Sequence, residues 1–135
     1  ENRSLNENSL YDDIKIQIDN SPFFPTQKSK KIAFKILEDI TNEGFFDGDE
    51  KSIADELGVS EDDVKRVRQR FYTIEPAGVG AKDMKESFLF QFENLDISPK
   101  LYRFGMEVIE HFEYIENYQN ELLFKDILNI IKNFN

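Results

Sequence analysis

The sequence predicts an all-α protein built of two small helical bundles, the first containing a helix-turn-helix-like unit. Three observations predict it. Apolar residues recur three and four apart along most of the 135 residues. No segment alternates with period two, as a half-buried strand would. Clusters of proline, glycine and asparagine cut the pattern into short lengths, each long enough for only a few helical turns. The expected organisation is a flexible polar segment at residues 1–8, a first helical subdomain at 9–96 and a second, smaller one at 97–135.

Each element has its own signal. Ser9 stands three residues before Asp12 in a capping-box-like arrangement, and Leu10, Ile14 and Ile18 form one stripe of a short helix. Asn20-Ser21-Pro22 ends that helix, and Pro25 reinforces the break. A second helix is expected over residues 26–41, with Ile32, Ala33, Ile36, Leu37 and Ile40 as its apolar stripe and Lys28, Lys30, Lys31 and Lys35 making its start basic. Gly44 is expected as its left-handed cap, with Phe45 and Phe46 entering a turn that ends at Gly48. Ile53, Ala54 and Leu57 mark a short helix. Gly58 permits a tight turn, and Ser60 caps the next helix with Glu61, Asp62 and Asp63 at its positive end. Val64, Val67, Phe71 and Ile74 form the seam of that helix, and Lys65, Arg66, Arg68 and Arg70 fall on its other faces. Pro76, Gly78 and Gly80 make a strong structural interruption. Met84, Phe88, Phe92 and Leu95 give a helix over residues 82–95. Ser98 and Pro99 start another, lined by Leu101, Phe104, Val108, Phe112 and Ile115. Leu123, Ile127, Ile130, Ile131 and Phe134 mark the last.

Composition narrows the function. There is no cysteine, which excludes disulfides, thiol catalysis and cysteine-ligated zinc and suits a cytoplasmic protein. No apolar run approaches the roughly 18 residues of a membrane span. The net charge of −10 argues for a protein partner, since duplex binding draws its affinity from a basic face. His111 is the only histidine, too few for a typical zinc site, and no pair of carboxylates stands out as general acid and base. No cofactor is expected. The Pro-Ala-Gly-Val-Gly-Ala-Lys stretch fails the spacing of a phosphate-binding loop, because Ala81 precedes Lys82 and Asp83 follows it. The first residue is Glu1, and Asn135 directly follows an apolar stretch, so an excerpt of a longer protein is expected. At its end Leu122-Leu123-Phe124 is expected to lack a packing partner.

Ile53, Ala54, Leu57, Gly58, Val59, Val64 and Val67 fit a helix-turn-helix template. Ala54 is small where the second helix crosses, Gly58 makes the turn, and the valines fill the wedge. The template supports three uses. A DNA-binding regulator would employ Lys65, Arg66, Arg68, Gln69 and Arg70, yet base readers sit near the N-terminal end of a recognition helix, and here that end is acidic. A helical adaptor would use the same faces on a protein. Those side chains also read as a solvated charged surface. The loop aromatics Phe23, Phe24, Phe45 and Phe46 read either as plugs between helices or as exposed docking anchors, with the plug favoured.

Three stretches carry a family resemblance. Asn42-Glu43-Gly44-Phe45-Phe46, then Ile53-Ala54-Asp55-Glu56-Leu57-Gly58-Val59-Ser60, then Ile74-Glu75-Pro76-Ala77-Gly78-Val79-Gly80-Ala81-Lys82-Asp83 resemble the core-binding region of sigma-54 factors. The match is clearest over residues 26–95, with Lys82 standing where the family often has arginine. The resemblance implies a non-enzymatic module that docks on core RNA polymerase, chiefly through the β-subunit flap. It implies no promoter reading by this stretch, since DNA recognition in such factors belongs to a C-terminal region not present here. Phe45, Phe46, Lys65, Arg66, Arg68 and Gln69 are the residues expected to face the partner. The first subdomain is expected to pack around Ile36, Ile40, Ile53, Leu57, Val67, Phe71 and Phe88.

Overall fold

The computed structural model describes the backbone of residues 2–134 and the side chains of residues 10–134. Among the described residues the regular structure is all helical, apart from one isolated antiparallel bridge between Ile40 and Phe46. The helices are α1 (Asn2–Asn20), α2 (Gln27–Glu38), α3 (Glu50–Leu57), α4 (Glu61–Gln69), α5 (Met84–Glu93), α6 (Pro99–Glu110) and α7 (Phe124–Lys132). Short 3-10 stretches extend α4 over Arg70–Thr73 and follow α6 over Phe112–Tyr118. The expected flexible segment at residues 1–8 lies outside the residues whose side chains are described. The backbone of α1 passes Ser9 within the helix instead of starting there, and no proline or glycine precedes that position to stop it.

Capping decides where the helices begin. Thr26 accepts a hydrogen bond from the Ser29 backbone N–H, and the Ser29 side chain accepts one from the Thr26 N–H, a reciprocal box at the start of α2. Asp49, Ser60, Asp83 and Ser98 cap α3, α4, α5 and α6 one-sidedly, each side chain accepting from a backbone N–H of the first turn. Ser9 apart, the expected starts at Thr26, Ser60 and Ser98 hold. Of the C-terminal signals, the Asn20 end of α1 and the Gly58 turn after α3 read correctly, whereas the ends of α2 and α6 did not. α2 stops at Glu38, short of the expected residue 41, because residues 39–41 exchange their helical hydrogen bonds for others across the next turn. The Thr41 N–H donates to the Phe45 carbonyl at 2.8 Å and the Asp47 N–H to the Asp39 carbonyl at 2.8 Å. Gly44, at φ +93°, sits in that turn and is not the helix cap. Likewise α6 ends at Glu110 with His111 as its cap, and Phe112 and Ile115 belong to a kinked 3-10 stretch.

Two apolar clusters result. The first gathers Ile14 and Ile18 of α1, the buried stripe of α2, Ile53 and Ala54 of α3, Val64 and Val67 of α4, then Phe71, Ile74, Val79, Ala81 and Phe90. Phe24 is fully buried and meets Phe71 edge to face at 5.7 Å. The second has Phe92, Val108, Ile109 and Ile127 at its centre. Helix α5 supplies both, with Phe90 turned into the first and Phe92 into the second. Phe88, expected in the first core, packs in the second. It contacts Phe112 at 5.9 Å and Phe134 at 5.5 Å between ring centres. Residues 88 and 92 are one turn apart and share a face, while 90 points the opposite way.

Candidate docking surface

The surface is organised around α4. Glu61, Asp62 and Asp63 occupy its first turn, where the helix dipole favours negative charge. Lys28 forms an ion pair with Asp63 at 2.7 Å. That hydrogen bond holds the Asp63 carboxyl below its ordinary pKa, against partial desolvation. Arg66 also bonds to Asp63, and Lys65 lies 3.7 Å from Glu61. Lys65, Arg66 and Gln69 are exposed along the outer side of the helix.

Arg68 is different. It was expected on an outer face, yet its side chain is 2% exposed. Its guanidinium donates through Nε to Glu50 at 2.8 Å, to both carboxylate oxygens of Glu86 at 2.5 and 3.0 Å, and to the Gly80 carbonyl at 2.9 Å. It also stacks over the Phe46 ring at 5.2 Å. Burial alone would favour the neutral form. The hydrogen bonds to Glu86 and Glu50 outweigh it, and the pKa lies above the ordinary arginine value. Phe46, expected at the partner, is 5% exposed beneath this guanidinium. Arg68 and Phe46 are thus interior groups that tie α3, α4, the residue 75–83 segment and α5 together. Phe45 is half-buried. Phe24 is a plug, while Phe23 is 42% exposed.

The glycine-rich segment serves the same junction. The Gly80 N–H donates to the Gly44 carbonyl at 2.9 Å, and the Phe46 N–H to the Ala81 carbonyl at 2.8 Å. The N–H groups of Val79, Ala81 and Lys82 are also spent within the chain, on Pro76, Gly78 and the Glu86 carboxylate. Backbone donors used in this way do not form a cradle for phosphate. Gly78 and Gly80 have φ near +90°, and a Cβ on Gly80 would come within 2.8 Å of the Phe71 ring. Pro76 follows a cis peptide bond and is exposed. Gly58 has φ +69° at the end of α3 with open space around it.

A cleft of about 620 Å³ opens where the two clusters meet. Gln69, Arg70 and Tyr72 line it from the α4 side, and Tyr102 and Met106 from α6. Tyr102 donates to Glu93, and that bond, with burial second, pushes the phenol up to about 12. The Asn94 side chain donates to the Tyr72 carbonyl at 2.6 Å, stitching α5 to the 3-10 stretch. Of the residues expected at a partner, only Gln69 lies in this cleft. Tyr72, Tyr102 and Met106 were missed, because their convergence depends on the angle between helices. The Asp96–Pro99 joint was the one available signal. Among the described residues no group of three or more His, Asp or Glu could hold a metal ion, and no helix is long and apolar enough to cross a membrane.

Comparison with known proteins supplies the family. The family model for the sigma-54 factor core binding domain matches residues 1–135. The RNA polymerase sigma-54 factor of Helicobacter pylori is 37% identical over 135 residues, covering 99% of this chain and 32% of that protein. The factor of Pseudomonas aeruginosa is 31% identical over 97 residues (69% of this chain, 19% of that one), and that of Salmonella typhimurium 27% over 121 (87% and 25%). The chain thus spans about a third or less of the length of these curated relatives. With a match that runs the whole length of the sequence, the chain belongs to the sigma-54 factor core-binding domain family.

Proposed function

We propose that this chain docks a sigma-54 transcription initiation factor onto core RNA polymerase in the bacterial cytoplasm, chiefly on the flap of the β subunit, and does no chemistry itself. The observation that carries the reading is the core-binding match along all of residues 1–135. Residues 9–96 and 97–135 act as two subdomains, and the flap element enters the cleft between them. The shape suits that role. Apolar Met106 and the Tyr72 and Tyr102 rings receive an apolar tip, while exposed Arg66, Lys65 and Gln69 set its orientation and encounter rate.

A DNA-reading use of α4 is disfavoured by charge. Glu61, Asp62 and Asp63 stand at the end of the helix that would enter the groove, within a chain of net charge −10. The test is binding of the chain to core polymerase, to an isolated β-flap fragment and to duplex DNA across a salt series. Saturable binding to polymerase and flap, without DNA retention, is the expected result. Paired Arg66→Glu and Gln69→Ala changes should weaken it about tenfold, a cost of about 1.4 kcal/mol, with helicity unchanged. A folded sample that ignores polymerase, or that holds duplex DNA in a strongly salt-dependent manner, refutes the reading.

A further inference from the structure

A second surface lies away from the cleft. Its groove, of about 480 Å³, runs between the first two turns of α2 and the turn joining α3 to α4. The floor is apolar: Phe34, Leu57 and Val59 are half-buried and pack against the first core from outside. The rim is basic: Lys28, Lys30 and Lys31 stand along it, with Gln27 at the end. No carboxylate lines this groove, in a chain with 27 acidic and 17 basic residues.

The neighbouring charges account for where the lysines are held. Lys28 is paired with Asp63, and Asp63 is shared with Arg66, so the local sum at that corner stays positive. Lys30 points back to the carbonyls of Ile18 and Asp19 at 3.3 and 3.1 Å, the negative end of α1. That contact fixes its ammonium with no carboxylate to cancel it. Lys31 is exposed and makes no ion pair among the described residues. Lys15 adds a further ammonium 6.0 Å from the Phe34 ring centre. Nearby acids do not line the groove: Glu38 and Glu56 are engaged by Lys35 at 3.2 and 2.7 Å and raise its pKa, Glu56 most, while Glu61 pairs with Lys65 at 3.7 Å and, with Asp62, sits in the first turn of α4. The result is an apolar trough edged by positive charge on an otherwise acidic molecule.

We propose that this groove is a docking site for an acidic segment of a protein partner, with apolar side chains spaced between its carboxylates. Charge complementarity selects that occupant. An uncharged apolar segment would leave the lysine rim unanswered, whereas carboxylates flanking an apolar stripe would meet it. A partner segment in helical form would set one apolar stripe on Phe34, Leu57 and Val59 and its flanking carboxylates on the lysines. The proposal does not rest on polymerase docking. The cleft shares none of these residues, and either surface stands if the other falls.

The probe is a synthetic 14-residue peptide, a length of about four helical turns, with leucine and phenylalanine at helical spacing and aspartate or glutamate between them. Its control has every carboxylate replaced by the amide, and a short DNA duplex is the third arm. Each is titrated into the 135-residue chain while backbone amide shifts are followed by NMR. Saturable binding of the acidic peptide, with shifts centred on Lys28, Lys31, Phe34 and Val59 and weakening with salt, is the expected outcome. Lys31→Glu should reduce affinity about fivefold or more, in the range of about 1 kcal/mol per exposed charge pair, at an unchanged melting temperature. Val59→Thr, which keeps shape and removes apolar contact, should weaken both peptides. Equal binding of the amide peptide, shifts centred elsewhere, tighter binding of the duplex at these residues, or no saturable binding would each overturn the proposal.

Discussion

Arg68 and Arg66 stand two positions apart in one short helix, and the sequence treats them alike. The structure makes one a buried hub and the other a surface charge. Their environments predict opposite outcomes. Truncating Arg68 leaves the carboxylates of Glu50 and Glu86, 15% and 12% exposed, without their shared cation. Breaking such a pair from one side costs about 3–5 kcal/mol, because an uncompensated charge stays behind. Arg68→Met should therefore lower unfolding free energy in urea by about that much, and Glu50→Gln with Glu86→Gln should return part of it. Arg66→Glu should change stability by about 0.5 kcal/mol or less, since its contact is exposed. Equal losses for the two arginines would refute the hub assignment. What made Arg68 illegible was its charge, because helical phase already turns that position inward. Residue 68 sits next to Val67 and one turn from Val64 and Phe71, so it faces inward as they do. Only a buried pair of acids, supplied 18 positions away on either side, makes that tolerable.

The starts of α2, α4 and α6 were legible because a cap is local chemistry, held in four consecutive residues, although the same kind of signal at Ser9 falls inside α1. The end of α2 and the path of residues 39–47 were set by hydrogen bonds across the following turn and by those linking Gly44 to Gly80 and Phe46 to Ala81, which no local pattern announces. The same contrast governs the apolar stripes. Those of α2 and α4 meet a single core and read correctly, whereas α5 serves two cores and its stripe was assigned to one. Gly105 in α6 is the sharpest element-scale case. On propensity alone, Gly→Ala in a helix interior gains about 1 kcal/mol. Here an added Cβ would lie 2.0 Å from Cζ of Phe92, which is fully buried and stacked on Tyr102 at 5.7 Å. The ring has nowhere to withdraw, so overpacking should win by about 1–3 kcal/mol. Gly105→Ala should lower the melting temperature, and Phe92→Leu in the same chain should recover part of the loss by opening space. A stabilised Gly105→Ala would mean that α5 and α6 are not packed this closely.

At the scale of the whole molecule, the two clusters are unequal, and that bears on how the cleft between them behaves. The first unites residues from five helices and three connecting segments, with Arg68 tying α3, α4 and α5 together. The second holds four fully buried side chains, and α7 contributes Ile127 alone to that number. Leu122, ahead of α7, is 91% exposed. Local opening follows buried contact, so α7 should be the least protected helix and α2 and α4 the most protected. Native-state hydrogen exchange tests this directly. Ile127→Ala should cost about 2–5 kcal/mol in the second cluster. It should speed exchange across α6 and α7 while leaving α2 and α4 near their original protection. Helix α5 should follow the first cluster, because Phe90, Ser87 and Gln91 are buried on that side and Arg68 grips Glu86. Uniform acceleration across every helix would show a single cooperative unit and remove the distinction. If α6 does open independently, Tyr102 and Met106 move while Gln69, Arg70 and Tyr72 hold still, and the width of the cleft becomes the adjustable quantity on which a partner's apolar tip would act.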